Sequence, residues 1–485
     1  MNGHDLLRVP PRVTAVAWLA AGCSAVAPAN LAIRHATVVD VTDGSLAPDR
    51  TVLITGDRIT AIGAVDEVDV PDQAEVVDAG GGYLVPGLWD MHVHVARDVD
   101  RAFPLLLAYG VTGVRNMNPG MDSAIERTRD VEQQLASGAV SGPRWIAGGP
   151  TVDGDPPVST RPIVVHDEAE GRAAVDALAD AGMDFVKVYE NVPRDAYFAI
   201  AHQARRRGIS VVGHLPFRVR PEEAAAAGQR TFEHLRGMEW GCSSDAQALR
   251  EELDRVIETI STMSPADQVM TVSHSTRALY ESWDQARCEA TADAYRRHRA
   301  AVVPNLIQFH QPVYAEEALL DPAMVRFVPE SERQEWEDMM TSELGRAVRA
   351  DLAVAVPVRE RTVKLLNAAG VTILSGTDVG GGGPFLHVPG ASLHDELALL
   401  AESGLSALDA LRAATLEPAR VLGMAGSLGT VGVGRLADLV LLDANPLEDI
   451  RNTRAITAVV ANGRLFRHAD LDRLLAEAEA AAKRD

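Results

Sequence analysis

Hydrophobic and polar residues alternate in short runs near the start of the chain. From Leu31 the alternation predicts strands at Leu31–Val39, Thr51–Thr55, Arg58–Ile62 and Glu75–Asp78, with turns at Asp57 and Gly63. The same texture returns far downstream at Ala437–Asp443 and Ile456–Ala461, where Asn462 and Gly463 turn the chain into Arg464–Phe466. The two pieces, within residues 31–86 and 424–467, predict one small β-sandwich built from both ends of the chain. Between them a different rhythm runs over residues 87–423: a short β-rich run followed by a helical run rich in Ala, Leu, Glu and Arg. That rhythm predicts parallel βα units. Eight strands are expected, at Gly87–His94, Val111–Asn116, Arg144–Gly148, Asp184–Tyr189, Ile209–His214, Thr231–His234, Ala301–Ile307 and Val371–Asp378. Eight is the strand count of an α/β fold of the (β/α)8 barrel type, in which catalytic groups gather where the strands end.

Two mostly helical stretches, Gly237–Arg299 and Gln311–Ala355, exceed a minimal barrel. Following the sixth and seventh strands, they are expected to overhang the active face as walls or lids. The tail, residues 468–485, predicts a terminal helix over Asp470–Lys483 with a structural role. No short repeat of solenoid type is present.

Composition narrows the function. The chain has 485 residues, 47% hydrophobic and 24% charged, enough for a large folded unit. Its 46 basic and 68 acidic residues leave a net charge of −22, which disfavours nucleic acid as a partner. Cys23, Cys242 and Cys288 are too few and too scattered for a disulfide framework or a thiolate zinc site, so any metal must use imidazole and carboxylate. No apolar run is long enough for a transmembrane span. Within residues 1–30, Arg8 and Arg12 precede a short apolar run, Val13–Gly22, that ends at Cys23. This reads either as a secretory leader, with Cys23 as an acylation site and an extracytoplasmic or lipid-anchored location, or as an N-terminal extension of a cytoplasmic protein.

The candidate chemistry begins at Gly87–His94. His92 and His94 lie two apart on a predicted strand and therefore share a face, so both imidazoles can meet one ion; a strand with two polar positions is the plainer alternative. Other ligand-type side chains close other strands: Lys187, His214, His234 and Asp378. Lys187 sits among Phe185, Val186 and Val188. Such a setting lowers a lysine's pKa and exposes the neutral amine that reacts with carbon dioxide; an ion pair with Glu190 is the alternative.

At these positions the chain resembles the amidohydrolase superfamily of metal-dependent hydrolases, in particular imidazolonepropionase and the Xaa-Pro and Xaa-Arg dipeptidases. The resemblance runs from about Leu31 to Phe466. It includes Tyr83–Gly87, Ser392–Leu397, Ala414–Ala419 and Gly434–Leu439. It implies two divalent ions, with zinc as the default: His92, His94 and Asp378 on one, His214 and His234 on the other, and Lys187 bridging them as a carbamate. It also implies attack by a metal-bridging hydroxide on the C–N amide bond of a small substrate, such as a dipeptide or an N-acyl amino acid, with Asp378 as the proton acceptor. Tyr189, on the same strand face as Lys187, is a candidate oxyanion donor. His394 is a candidate substrate contact or, alternatively, a hydrogen bond at a helix start.

Other residues are less specific. Arg115 and His310 could meet a substrate carboxylate or pair with acidic neighbours. Gly380–Gly383 is expected to be a mobile loop rather than a nucleotide cradle. His166, His202, His274 and His298 are assigned no function. The segment Tyr189–Pro193 departs from the glycine-rich turn expected in dipeptidase relatives, which leaves cyclic amides, ureas, carbamates and phosphate esters as alternative substrates. A mononuclear deaminase is the alternative chemistry, and a non-enzymatic scaffold would be expected to have lost ligands. A homo-oligomer is left open.

Overall fold

The structure is a computed structural model that describes residues 29–260, 263–314, 322–381 and 387–484. The predicted leader up to Pro28, including Cys23, and residues Gly382 and Gly383 lie outside the described residues.

Strands from both chain ends join one eight-stranded sheet. Leu31–Val39 pairs antiparallel with Leu46–Thr55, which pairs with Arg58–Ala64; Glu75–Asp78 lies parallel to Leu31–Val39. The two halves meet where Tyr83–Pro86 pairs antiparallel with Leu439–Leu442, setting Leu84 opposite Leu441. Ile456–Ala461 and Arg464–Arg467 complete that side. Ile33, Val52, Ile54, Leu84, Leu439 and Leu441 form the core. Leu46–Thr55 begins earlier than expected because its first half is largely exposed, with no apolar alternation to mark it, and is held by backbone pairing with Leu31–Val39 and by the His35–Asp49 contact.

The predicted parallel strands all occur. Leu88–Val93, Val111–Asn116 and Arg144–Ala147 form one sheet. A second contains, in spatial order, Ile163–Val164, Val152–Asp153, Phe185–Val188, Ser210–Gly213, Gln229–Glu233, Ala301–Val303 and Thr372–Ile373. Single parallel bridges connect the two sheets on both sides, Gly148 to Phe185 and Val93 to Val379. The seventh strand is shorter than its apolar run. Pro304 has no N–H for the ladder, and helix Leu306–Tyr314 starts two residues later, its Leu306 and Ile307 N–H groups donating to the buried Glu396 carboxylate (3.0 and 2.8 Å). Val152–Asp153 and Ile163–Val164 have two residues each, too few to show a period.

Both long stretches are helical. Ala246–Ile260, Pro265–Glu281 and Gln285–His298 fill the first; Glu330–Thr341 and the start of Glu343–Ala368 fill the second. They are tied together by Arg359 of Glu343–Ala368, which pairs with Glu239 of helix Arg236–Cys242 (2.9 Å) and accompanies Tyr280 on the same carboxylate, all three being buried. The terminal helix His468–Ala482 buries Leu471 and Leu474 against Leu107, Val459 and Phe466. Among the described residues no helix is long and apolar enough to cross a membrane.

One expectation fails. Cys242 and Cys288, 46 residues apart, form a disulfide with Cα atoms 4.2 Å apart. The distance along the chain concealed the pair: antiparallel approach of Arg236–Cys242 and Gln285–His298 decides it. A closed loop of this length stabilises a fold by about 2–4 kcal/mol. Replacing both cysteines by alanine is expected to lower the unfolding free energy by about that amount, measured by urea denaturation; an unchanged midpoint would show that the bridge contributes nothing.

Candidate metal centre

The first parallel strand delivers His92 and His94 to one side of the sheet, as period-two geometry requires, with ring centres 5.4 Å apart. The end of the eighth strand lies against it. Asp378 N–H donates to the His92 carbonyl and His94 N–H to the Val379 carbonyl, both at 2.8 Å. Asp378 adopts φ 61°, which turns its carboxylate toward the histidines. Its Oδ1 lies 3.2 Å from Nε2 of both His92 and His94, and the three ligand atoms fall within 4.8 Å of one another. Gly376 makes this approach possible, since a Cβ there would stand 2.9 Å from the His92 Cβ and 2.5 Å from Val303.

Lys187, His214 and His234 close the same space. Lys187 Nζ is 3.4 Å from His92 Nε2, and the His234 ring lies 4.6 Å from that of His92 and 5.0 Å from that of His214. Gly213 leaves room for the lysine stem: with φ 119° it already excludes most residues, and a Cβ would meet Lys187 Cγ at 3.1 Å. His214 Nε2 and His234 Nδ1 are buried and have no hydrogen-bond partner among the described residues. Orphaned imidazole nitrogens facing other ligand-type groups fit a cation, because a buried polar atom is otherwise costly to leave unpaired.

The imidazoles are aimed by their other nitrogens. His92 Nδ1 meets Glu233 Oε2 at 2.8 Å, His94 Nδ1 meets the Asn118 carbonyl at 2.8 Å, and His214 Nδ1 meets Glu190 at 3.1 Å. Each contact leaves Nε2 for a metal. Burial pushes the pKa values of His92, His214 and His234 well down, with the Lys187 charge adding to the effect on each, so these rings are neutral and carry a lone pair at pH 7. Lys187 is lowered to about 8, chiefly by burial, while Asp378 and Glu233 act in the opposite direction. Below Asp378, the Asp90 carboxyl accepts from the Thr377 hydroxyl (2.7 Å) and is pushed up to about 7 by burial.

The sequence candidates divide accordingly. His92, His94, Lys187, His214, His234 and Asp378 converge. Tyr189 joins them, its ring stacked on His214 at 4.0 Å and 5.8 Å from Lys187 Nζ. His394 does not. It lies fully buried in helix Ala391–Glu402, with Nδ1 on Thr453 (2.9 Å) and Nε2 on the Tyr109 carbonyl (3.0 Å), so both ring nitrogens are engaged in joining elements of the fold. The proposed Lys187–Glu190 pair is also absent; Glu190 turns to His214 and Arg236. Arg115 and His310 pair internally, with Glu233 and Glu360. Gly380 approaches the His94 carbonyl closely, so that a Cβ there would stand 2.5 Å from it. His166, His202, His274 and His298 are exposed.

Sequence reasoning missed Glu233, Gln308, Arg236 and His387, and named Glu190 only as a partner for Lys187. Gln308 donates to Asp378 Oδ2 at 2.8 Å. Arg236 stands beside Glu190, with 28% of its side chain exposed. His387 is buried and close enough to Asp378 to feel its charge. Closeness in sequence to His234 was the available signal for Glu233, which precedes it directly, and for Arg236, two residues after it; Gln308 and His387 carried none.

Residues 83–466 match the amidohydrolase family. Adenine deaminase of Rubrobacter xylanophilus is 37% identical over 89 residues, 18% of this chain and 15% of the deaminase. Imidazolonepropionase of Idiomarina loihiensis is 30% identical over 105 residues, 21% of this chain and 26% of that enzyme. The chain thus matches about a quarter or less of the length of these curated relatives. A solved Xaa-Pro dipeptidase is similar in fold, with TM-score 0.64, 20% identity, and coverage of 90% of this chain and 99% of that one.

Glu233→Gln removes the charge that aims His92. It is expected to weaken metal binding by about 10–100-fold, read by metal analysis after dialysis against graded chelator; wild-type retention would show that Glu233 does not position the ligand.

Proposed function

The chain belongs to the amidohydrolase family; we propose that it is a hydrolase acting on carbon–nitrogen bonds, that its substrate is a small amide bearing a carboxylate, a dipeptide or an N-acyl amino acid, and that its centre holds two divalent ions. In this reading residues 87–423 are one (β/α)8 barrel closed through the Gly148 and Val379 bridges, with the two end segments forming a second domain and residues 468–485 a structural helix. His92, His94 and Asp378 would hold one ion, His214 and His234 the other, and Lys187, as a carbamate, both. Imidazole and carboxylate without thiolate suits zinc. The observation that carries the proposal is the convergence of six ligand-type side chains around two orphaned histidine nitrogens.

Bound divalent ions would make water acidic enough to ionise near neutral pH and would polarise the scissile carbonyl. The protein's own groups supply the rest. Asp378, oriented by Gln308 at one oxygen, accepts the proton of the attacking water at the other and returns it to the leaving nitrogen. Tyr189 stands over His214 as a donor to the developing oxyanion; burial raises its pKa, so it keeps its proton. Arg236, partly exposed beside the centre, is a cation for the substrate carboxylate. The partial match to an adenine deaminase supports a second reading, deamination, and with it the mononuclear site that the sequence leaves as the alternative to two ions.

Protein purified with zinc and bicarbonate is expected to carry two ions per chain and to hydrolyse members of a dipeptide and N-acyl amino acid library. One ion per chain with ammonia release from adenine would favour the deaminase. His92→Ala is expected to lose both metal and at least about 10³-fold in turnover, so an active variant would refute the site. Lys187→Ala should be inactive but partly restored by acetate or propionate. In the metal-free wild type, carbonation of Lys187 should quicken as pH rises through about 8, where the neutral amine gains population; a flat profile in 13C-bicarbonate NMR would count against the carbamate.

A further inference from the structure

The parallel strands have a second end. Where they begin, opposite the metal centre, lies a cavity of about 310 Å3, within the size range of small-molecule sites. Ile146, Phe185, Val421 and Leu422 give it an apolar wall. Four charged residues also border it, and they are not equivalent. Arg115 donates to the Met91 carbonyl, to Thr231 and to Glu233, and Arg207 is paired with Asp176 and Asp180. Arg230 donates to the Arg299 carbonyl at 2.9 Å, and the charge that bears on it is the like charge of Arg299. Asp184 accepts from Ala147 N–H at 2.8 Å, and the charge that bears on it is Glu132, again of like sign. Burial and Glu132 raise the Asp184 carboxyl to about 6, which leaves it mostly ionised at neutral pH.

One cavity is therefore bordered by an anion and a cation that have no opposite charge beside them among the described residues and do not pair with each other. Unpaired charge at a partly buried site is costly, and the cost falls when something of opposite sign arrives. The register sets the gap. Phe185 pairs with Ser210, and Val211 with Gln229, so Asp184 and Arg230 stand two strands apart, roughly 10 Å across the sheet, and are offset from each other along the strands. Two side chains with a compact zwitterion between them span that distance.

We propose that this cavity binds a free α-amino acid with an apolar side chain, its ammonium on Asp184, its carboxylate on Arg230 and its side chain against Val421 and Leu422. The site is separate from the reaction proposed above, and its test does not depend on that reaction. An occupant would border Arg115, which holds Glu233, which holds His92, two hydrogen-bonded side chains away from the metal centre.

Isothermal titration of full-length, metal-loaded protein with L-leucine tests this. Saturable one-to-one binding is expected, weakened at least about tenfold by Arg230→Met and by Asp184→Asn, each of which removes one charge-assisted contact. Val421→Trp, which fills the cavity without touching a charge, should abolish it, and metal content should stay at the wild-type level in all three. 4-Methylpentanoate, lacking the amine, and 3-methylbutylamine, lacking the carboxylate, should each bind at least about tenfold more weakly than leucine. The proposal is overturned if leucine does not bind, if either half-ligand binds as well as leucine, or if binding survives Arg230→Met and Val421→Trp. Binding lost only on His92→Ala would place the amino acid at the metal centre and overturn it equally.

Discussion

Glu233 is the side chain on which the centre depends. It is fully buried, and a carboxylate in that position is tolerable only because Arg115 binds one oxygen and Thr231 reinforces it, while the other oxygen holds His92. The pair does more than neutralise itself. It fixes which nitrogen of His92 faces inward, and that nitrogen lies at the junction of Asp378 and Lys187. A buried ion pair contributes little to stability compared with a well-packed apolar substitute, so its value here is directional.

The same logic extends to the other histidines by different means. His94 is aimed by a backbone carbonyl and His214 by Glu190, which is in turn held by Arg236. Arg236 leads to Glu239, and Glu239 to Arg359 on the long helix of the second insertion. The helical insertions are thus connected to the ligand shell through buried charges rather than apolar contact alone. The Cys242–Cys288 bridge closes the helix that begins at Arg236 against the body of the insertion. Orientation at the proposed centre and the attachment of the insertion helices share one connected network.

Glycines define how closely the strands deliver these groups. At Gly376 and Gly213 the neighbouring backbone and the His92 and Lys187 side chains occupy the space that a Cβ would need. Left-handed backbone at His234 and Asp378 then turns two of the proposed ligands out of their strand directions and into the shared space. Such conformations are unfavourable for residues other than glycine and persist where surrounding contacts enforce them.

Much of this was readable in order along the chain. Period-two alternation marked the end segments, the βα rhythm marked the parallel strands, and the six ligand-type residues stood at strand ends because that is where such a fold presents side chains. Local order determines those features, since strand period and ligand chemistry depend on neighbours a few residues away. Only the tertiary structure decided which partners aim the ligands. Glu233 and His92 are 141 residues apart, and Gln308 and Asp378 are 70. It also showed both nitrogens of His394 engaged elsewhere in the fold, and joined two cysteines that looked unrelated. Those outcomes follow from crossing distances and burial, which no local pattern encodes.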